Sequence, residues 1–374
     1  MSIQVSYKKQ FIIYIFLFFI LLSVIELGAN IFEWQRDYQQ PPCDFIGSNA
    51  LQNVEEIKQY QLCEELNSIQ YQVDGILSLV PNQNLETINI NSHGFRGHDF
   101  SVTKDLGTYR IFIVGGSTVF GTGSTSDDAT ISSFLQKKIN NFDNGLKIEI
   151  LNAGINSAYS YTSKYIIENT LPKFQPDLVI IYSGGNDAHN KFGVEYNVPA
   201  VSPGLAKVSP SFFEIIKKIT YDINYRTPFV LMNIIAQHQN YYPMYESSKN
   251  QVQELWTIRM AETCKTNNDI GVKTMVFVQP MLGSGNKQIS TAGLSTEILV
   301  SSGYTDVQMH DTLDILNKLS GSLNELEDVC DETGDLRMIF DNVDQPIFFD
   351  YIHTNDLGSE IIAEEIYEIL IKHI

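Results

Sequence analysis

Basic residues are scarce in this chain of 374 residues, where 25 Lys and Arg stand against 44 Asp and Glu. The formal net charge of −19 at pH 7 makes the surface acidic. An acidic surface repels nucleic acid and offers no basic patch for a phosphate backbone, so a nucleic-acid partner is excluded. Apolar residues are not scarce, at 43% of the chain, so a sizeable core can form and disorder is not expected.

Cysteine is also rare, and no CxxC or Cys/His cluster suggests a zinc site. His93, His98 and Asp99 share no defined face, so no metal site is predicted. An even number of cysteines can form disulfides in an oxidising compartment, and four allow three pairings. Cys43–Cys63 would close a short loop and Cys264–Cys330 would join two later helices, while four unpaired thiols are the alternative.

Motifs for nucleotide cofactors are absent. Gly116 and Gly121 have the spacing of a phosphate loop, but Thr122 stands where that loop needs lysine. A dinucleotide fingerprint starting at Gly121 fails at Ser126, and Val119 breaks the Gly-x-Ser-x-Gly elbow of α/β-hydrolases. No cofactor is therefore predicted.

The chain has one long apolar run, near its N-terminus. Lys8 and Lys9 precede an uncharged stretch over Phe11–Ile25, and apolar residues continue to Trp34. Fifteen helical residues span roughly 22 Å, and extension to Trp34 makes up the length of a bilayer core of about 30 Å. Residues 11–34 are predicted to be a membrane anchor with a cytoplasmic N-terminus and an extracytoplasmic main domain, periplasmic or at the cell surface.

A cleaved signal peptide is the alternative for this run. A signal-peptide cleavage site has small residues at positions −3 and −1. With Ala29 at −1 the residue at −3 is Leu27, which makes the site a poor one. With either interpretation the remainder of the chain is exported.

Strands and helices are predicted to alternate after residue 108, which indicates an α/β fold with a parallel sheet covered on both faces. The expected domains are a cytoplasmic stub and anchor at 1–34, a stalk and N-terminal wrap at 35–108, and the main domain at 109–374. Insertions that border the site are expected at 188–245 and 282–303. Strands are predicted at 109–114, 147–151, 178–182 and 272–278, with a short one at 347–349, and helices at about 129–139, 163–171, 247–267, 306–329 and 355–372.

Polar residues follow three of these strands. Ser117 ends Gly115-Gly116-Ser117, Gly154 ends Asn152-Ala153-Gly154, and Asn186 lies in Gly184-Gly185-Asn186-Asp187. A fourth segment, Asp350-Tyr351-Ile352-His353, precedes the last helix. Because the carboxyl ends of parallel strands meet at one edge of a sheet, these residues are expected to converge.

A serine hydroxyl needs a base to become a nucleophile, and that base needs an orienting acid. Asp350 could hold His353 through one imidazole nitrogen and leave the other free for the Ser117 proton. The N–H groups of Ser117 and Gly154 and the amide of Asn186 could stabilise an oxyanion. Asp187 is interpreted as a cap for the segment that follows it, and His189 as a solvated loop histidine.

These residues resemble the four landmarks of the SGNH hydrolases, also called GDSL-type esterases. The matches are Ser117, Gly154, Asn186 in its Gly-x-Asn-Asp motif, and the Asp350–His353 pair, in the family's order over about 109–372. The resemblance implies a flavodoxin-like three-layer α/β/α sandwich with a five-stranded parallel sheet. Gly116 departs from the usual aspartate, and Gly-Gly-Ser-Thr is similar to a membrane-anchored branch, as is the segment 91–97.

The resemblance implies a serine esterase with Ser117, Asp350 and His353 as catalytic residues and Ser117, Gly154 and Asn186 as the oxyanion hole. Its substrate would be an acyl ester, with acetyl esters first, on a surface glycan or lipid. One alternative is an O-acyltransferase that uses the same triad on cell-surface polysaccharide. Another is a non-catalytic scaffold in a membrane or surface complex.

Overall fold

The computed structural model describes residues 6–39, 43, 45–141, 145–189, 246–287 and 307–374. The predicted insertions at 188–245 and 282–303 lie almost entirely outside these residues. The N-terminal helix and the main body belong to two compact units.

The N-terminal helix α1 spans Tyr7–Gln39. Its segment Tyr7–Ile31 has a mean hydropathy of 2.6 over 25 residues. Among the described residues it is the one helix whose length and composition would allow it to cross a membrane, and a signal sequence could have the same character.

The main body begins with a layer of short elements before the large sheet. It consists of a 3₁₀ turn at Asn49–Leu51, helix α2 and two antiparallel strand pairs, β1–β2 and β3–β4. Their bounds are Glu56–Ser68 for α2, Tyr71–Asp74 for β1, Ile76–Leu79 for β2, Gln83–Asn84 for β3 and Asn89–Ile90 for β4.

The large sheet has five parallel strands in the order β6-β5-β7-β8-β9. Their bounds are Thr108–Gly115 for β5, Lys147–Gly154 for β6, Leu178–Ser183 for β7, Lys273–Val278 for β8 and Glu332–Asp335 for β9. Numbered within the sheet alone, this order is 2-1-3-4-5, which is the flavodoxin-like order. The predicted fold class is confirmed.

Seven further α-helices lie after β5 within the described residues. They are α3 (Ser117–Phe120), α4 (Ile131–Ile139), α5 (Ser160–Asn169), α6 (Gly185–His189), α7 (Glu246–Asp269), α8 (Val307–Gly321) and α9 (Asp356–Leu370). Strand β5 shows how the layers form, because its side chains alternate between two cores. Phe112 and Val114 face the core that contains α5, α7 and α8, whereas Ile111 and Ile113 face α4 and α9.

Two sequence predictions at the end of the sheet are wrong. Residues 347–349 are buried but form no sheet strand, and only Phe348 makes an isolated bridge, to Thr354. The fifth strand is instead β9, within Glu332–Asp335, and the preceding helix ends at Gly321 rather than near residue 329. A polar edge strand with one neighbour needs no continuous apolar run, so its sequence gave no strand signal.

All four cysteines form disulfides, Cys43–Cys63 and Cys264–Cys330. The first joins the start of the main body to α2. The second joins α7 to the segment just before the edge strand β9. Unpaired thiols, the alternative interpretation, are not what the structure contains.

The N-terminal layer shares its core with two residues of the main domain. Phe120, from α3, and Phe349, just before Asp350, are buried in it together with side chains from the short N-terminal elements, namely Phe45, Ala50, Leu51, Leu62, Cys63, Ile69, Leu79, Ile88 and Ile90. The segment 45–90 is therefore packed into the main body, and it is called the N-terminal layer together with the chain that follows it up to β5.

Candidate active site

Ser117 lies where strand β5 turns into the four-residue helix α3. Gly121 closes this helix with a φ of 92°, a left-handed conformation that favours glycine. The backbone N–H groups of Gly121 and Thr122 both donate to the Ser117 carbonyl at 2.9 Å. The serine is thus held at the carboxyl end of a central strand, with its side chain half-buried.

The structure places Ser117, His353 and Asp350 in one hydrogen-bonded chain. His353 Nε2 lies 2.6 Å from Ser117 Oγ, and His353 Nδ1 lies 2.5 Å from Asp350 Oδ2. The other carboxylate oxygen of Asp350 accepts the backbone N–H groups of Ile352 and His353 at 2.8 and 2.6 Å. These two bonds orient the carboxylate toward the imidazole.

Asp350 is held in its ionised form. Burial by itself would raise the pKa of this carboxyl, but the charge of His353 and the hydrogen bonds from His353 and Ile352 outweigh burial, so the pKa lies below its usual value. The His353 ring also stacks on Phe349, with centroids 5.6 Å apart and planes 6° from parallel. Charge and packing together fix the imidazole against the serine.

Asn186 lies beside the serine turn, at the start of α6. Its Nδ2 donates to the Ala158 carbonyl at 2.9 Å, which uses one of the two hydrogens of the amide. A Cβ added at Gly116 would lie 2.6 Å from this Nδ2. The absence of a side chain at residue 116 therefore makes room for Asn186.

Gly154 does not have the position that the sequence suggested. Its N–H donates to Asn152 Oδ1 at 2.9 Å, and a Cβ there would lie 2.1 Å from the backbone nitrogen of Phe120. Glycine at 154 is required because the backbone of α3 packs directly on the end of β6. The prediction of Gly154 as an oxyanion donor is corrected accordingly.

Ser157, three residues later, is a candidate donor that the sequence did not suggest. It adopts φ 63°, is exposed, and its N–H has no acceptor within the part of the chain that the structure describes. The next residue, Ala158, carries the carbonyl that binds Asn186. A serine between turn-forming residues gives no signal of this kind in a sequence, because glycine is the residue expected at positive φ.

Asp187 and His189 have structural partners. Asp187 accepts the N–H of Ser160 at 3.0 Å and its hydroxyl at 2.5 Å, so it caps α5 rather than the segment that follows it. Burial raises the pKa of Asp187 despite these bonds. His189 is not a solvated histidine, since its ring nitrogens lie 3.2 Å from Tyr351 Oη and 3.5 Å from Thr312 Oγ1.

Metal ligands are not clustered in the described ranges, where no group of three or more His, Cys, Asp or Glu side chains could hold an ion. The geometry instead provides a serine, a base, an acid and several N–H donors at one edge of a parallel sheet.

This combination of fold and site corresponds to a known family. The family model for the GDSL-like lipase/acylhydrolases matches residues 111–366, and the chain belongs to this family. It is an ester-hydrolysing enzyme of the GDSL type. No curated protein matches the chain.

Solved structures with a similar fold have little sequence in common with the chain. A lipolytic protein of the G-D-S-L family from Desulfitobacterium hafniense DCB-2 is 12% identical, with 70% of this chain and 98% of that chain covered and a TM-score of 0.38. The acetyl xylan esterase AlAXEase is also 12% identical, with 70% and 99% covered and a TM-score of 0.41. TesA is 15% identical, with 70% and 97% covered and a TM-score of 0.39.

Proposed function

We propose that the protein is a serine esterase in which Ser117 is the nucleophile, His353 the general base and Asp350 the residue that orients the base. The observation that carries this proposal is the unbroken chain of contacts from Asp350 Oδ2 through the imidazole to Ser117 Oγ, at 2.5 and 2.6 Å. This chain fixes the tautomer with the hydrogen on Nδ1, so that Nε2 can accept the serine proton.

The reaction proceeds through an acyl-enzyme. Ser117 Oγ forms a bond to the ester carbonyl carbon while its proton passes to His353 Nε2. The imidazolium, stabilised by the Asp350 carboxylate, gives that proton to the departing alcohol oxygen as the ester bond breaks. Water then attacks the acyl group, His353 accepts its proton, and the acid leaves as Ser117 Oγ takes the proton back.

Three N–H groups beside Ser117 are the proposed oxyanion donors. They are the backbone N–H of Ser117, the second amide hydrogen of Asn186 and, in place of Gly154, the backbone N–H of Ser157. The hydrogen bond from the Asn186 amide to the carbonyl of the adjacent residue, Ala158, supports this choice of Ser157. Loss of one such donor typically raises the barrier by about 3 kcal/mol.

We further propose that the substrate is an acyl ester, acetyl esters first, on a glycan or lipid outside the cytoplasm. The main domain, residues 109–374, and the layer at 35–108 would be held there by an uncleaved anchor at 11–34. The apolar character of α1, Lys8 and Lys9 at its start, and two disulfides in the main body support this location.

The test is hydrolysis of small aryl acetates by the full-length chain in detergent, together with fluorophosphonate labelling. We expect Ser117→Ala to abolish labelling and to lower kcat by at least about 10³-fold, because the hydroxyl that lies 2.6 Å from His353 Nε2 is removed. Ser124→Ala is the matched control, since this buried serine lies in the same loop and its Oγ has no hydrogen-bond partner among the described residues.

A wild-type chain that is inert and unlabelled would overturn the proposal. Product analysis in the presence of an added glycan identifies the acceptor of the acyl group. Free acid, the expected product, means that water is the acceptor. An acylated glycan would mean that a sugar hydroxyl takes the place of water in the last step.

A further inference from the structure

Arg96 is a buried arginine outside the proposed triad. It lies in the N-terminal layer, between β4 and β5, and its side chain has 0% exposure. Its backbone bridges Ile90 on one side and Asn152, in strand β6, on the other. The residue therefore connects the N-terminal layer to the sheet at the edge where the site lies.

The guanidinium binds the end of the helix that Ser117 begins. Its Nη1 donates to the carbonyls of Phe120 and Gly121 at 3.1 and 2.8 Å. Its Nε donates to Asp127 Oδ1 at 2.8 Å, and the group lies 5.1 Å from the centre of the Phe120 ring. The last carbonyls of a helix have no partner within that helix, so Arg96 supplies partners for them.

A four-residue helix is too short to be stable by itself, because nucleation of a helix is unfavourable until many residues have been added. Helix α3 therefore depends on groups outside it, and two of its contacts come from residues other than Arg96: Asn152 Nδ2 donates to the Val119 carbonyl at 2.7 Å, and Gly154 packs under Phe120. The charged contact at its end comes from Arg96 alone among the described residues.

We propose that Arg96 is a positioning residue for catalysis, which fixes the α3 turn so that Ser117 Oγ stays within reach of His353 Nε2. This inference rests on the proposed function of Ser117. Arg96 touches no reacting atom and acts through the carbonyls of Phe120 and Gly121. The N-terminal layer, which lies before the family domain at 111–366, thereby becomes part of the catalytic apparatus.

Asp127 keeps Arg96 in place from the other side. Its carboxylate also accepts the backbone N–H of Asn89 at 3.0 Å and the Asn89 side-chain amide at 2.9 Å. Lysine at residue 96 would keep the charge, but one ammonium cannot reproduce the planar fork that reaches a carboxylate and two carbonyls together.

Arg110 provides a matched control. It is 2% exposed, binds Glu149 Oε2 at 2.5 Å and the Phe174 carbonyl at 2.6 Å, and lies 5.1 Å from the Phe100 ring. It therefore repeats the burial, the ion pair and the aromatic contact of Arg96, but at the start of β5, the end of the strand remote from Ser117.

The experiment compares Arg96→Lys with Arg110→Lys in the full-length chain. We expect both variants to lower Tm, but only Arg96→Lys to lower kcat, by about 100-fold with little change in KM, because misplacement of a reacting group by about 1 Å costs that much. Fluorophosphonate labelling of Ser117 should slow in parallel. If Arg96→Lys does not fold, Asp127→Asn is measured in its place, with the same expectation.

Equal losses of Tm with wild-type kcat and wild-type labelling rate in the residue-96 or residue-127 variant would overturn the inference while leaving the proposed function intact. A wild-type chain that cannot be labelled overturns the proposed function, and the inference falls with it.

Discussion

Gly116 leaves room for the Asn186 amide beside the nucleophile turn. Its backbone is extended, with φ −84° and ψ −153°, so the backbone alone would accept another residue. The restriction is spatial, because a Cβ would lie 2.6 Å from Asn186 Nδ2 and 3.4 Å from the Ala158 carbonyl oxygen. The side chain of Asn186 therefore restricts residue 116 to glycine.

We predict that Gly116→Ala lowers kcat by about 100-fold, because the methyl group displaces one proposed oxyanion donor. The measurement is kcat for an aryl acetate together with Tm, which should change little. Gly321→Ala is the control, since no atom of the described part of the chain lies within 4 Å of a Cβ there, and it should keep wild-type kcat. Wild-type kcat in Gly116→Ala would remove Asn186 from the oxyanion hole.

Strand ends explain which site residues could be predicted. Ser117, Asn186 and His353 follow strands or precede a helix, and the convergence of parallel strand ends brings them together. Gly154 was misassigned because a sequence alone does not distinguish a glycine that contacts substrate from a glycine that packs against another segment of backbone. The opposing group, the Phe120 nitrogen, lies 34 residues away in the chain, and only the fold reveals it.

At the scale of elements, the strands that could be predicted from the sequence are the buried ones. Strand β7 is buried along its whole length and was predicted to within a residue, whereas β9 is half-exposed and was missed. The opposite error occurred at Ile347–Phe349, where three buried side chains anchor the loop before Asp350 without joining the sheet. A run of apolar residues indicates that a segment is buried, but it does not indicate whether the segment pairs with another strand.

The two disulfides should differ in their contribution to stability. Cys264–Cys330 closes 66 residues and Cys43–Cys63 closes 20, so loop-closure entropy predicts losses of about 4 and about 3 kcal/mol when each pair is replaced by alanine. Urea unfolding of Cys264→Ala/Cys330→Ala and Cys43→Ala/Cys63→Ala measures both. The reverse order of losses would show that strain or residual structure dominates over loop length.

At the scale of the molecule, the family domain and the folded unit have different limits. The family model covers residues 111–366, but the described main body starts at Cys43 and the N-terminal layer buries Phe120 and Phe349. The sequence predicted a stalk and wrap here because short elements in polar, Asn- and Gln-rich sequence show no helical or strand period. Their core is completed by residues from the main domain.

The fate of α1 can be decided with a tag at each end of the chain. A span of 25 helical residues measures about 37 Å, enough for a bilayer core of about 30 Å, so we expect one membrane-bound product that carries both tags and resists alkaline carbonate. Deletion of residues 7–39 should release the main body. A mature product without the N-terminal tag would identify α1 as a cleaved signal peptide.

One hydrogen bond has a consequence for how this chain folds during its synthesis. Asn355 Nδ2 donates to the Ala50 carbonyl at 2.8 Å across 305 residues, and the same side chain caps the last helix. Contacts so distant in sequence form late, since loop closure must come first. The N-terminal layer is the first part of the main body to be synthesised, but its contact with Asn355 must wait until a ribosome has delivered almost the whole polypeptide.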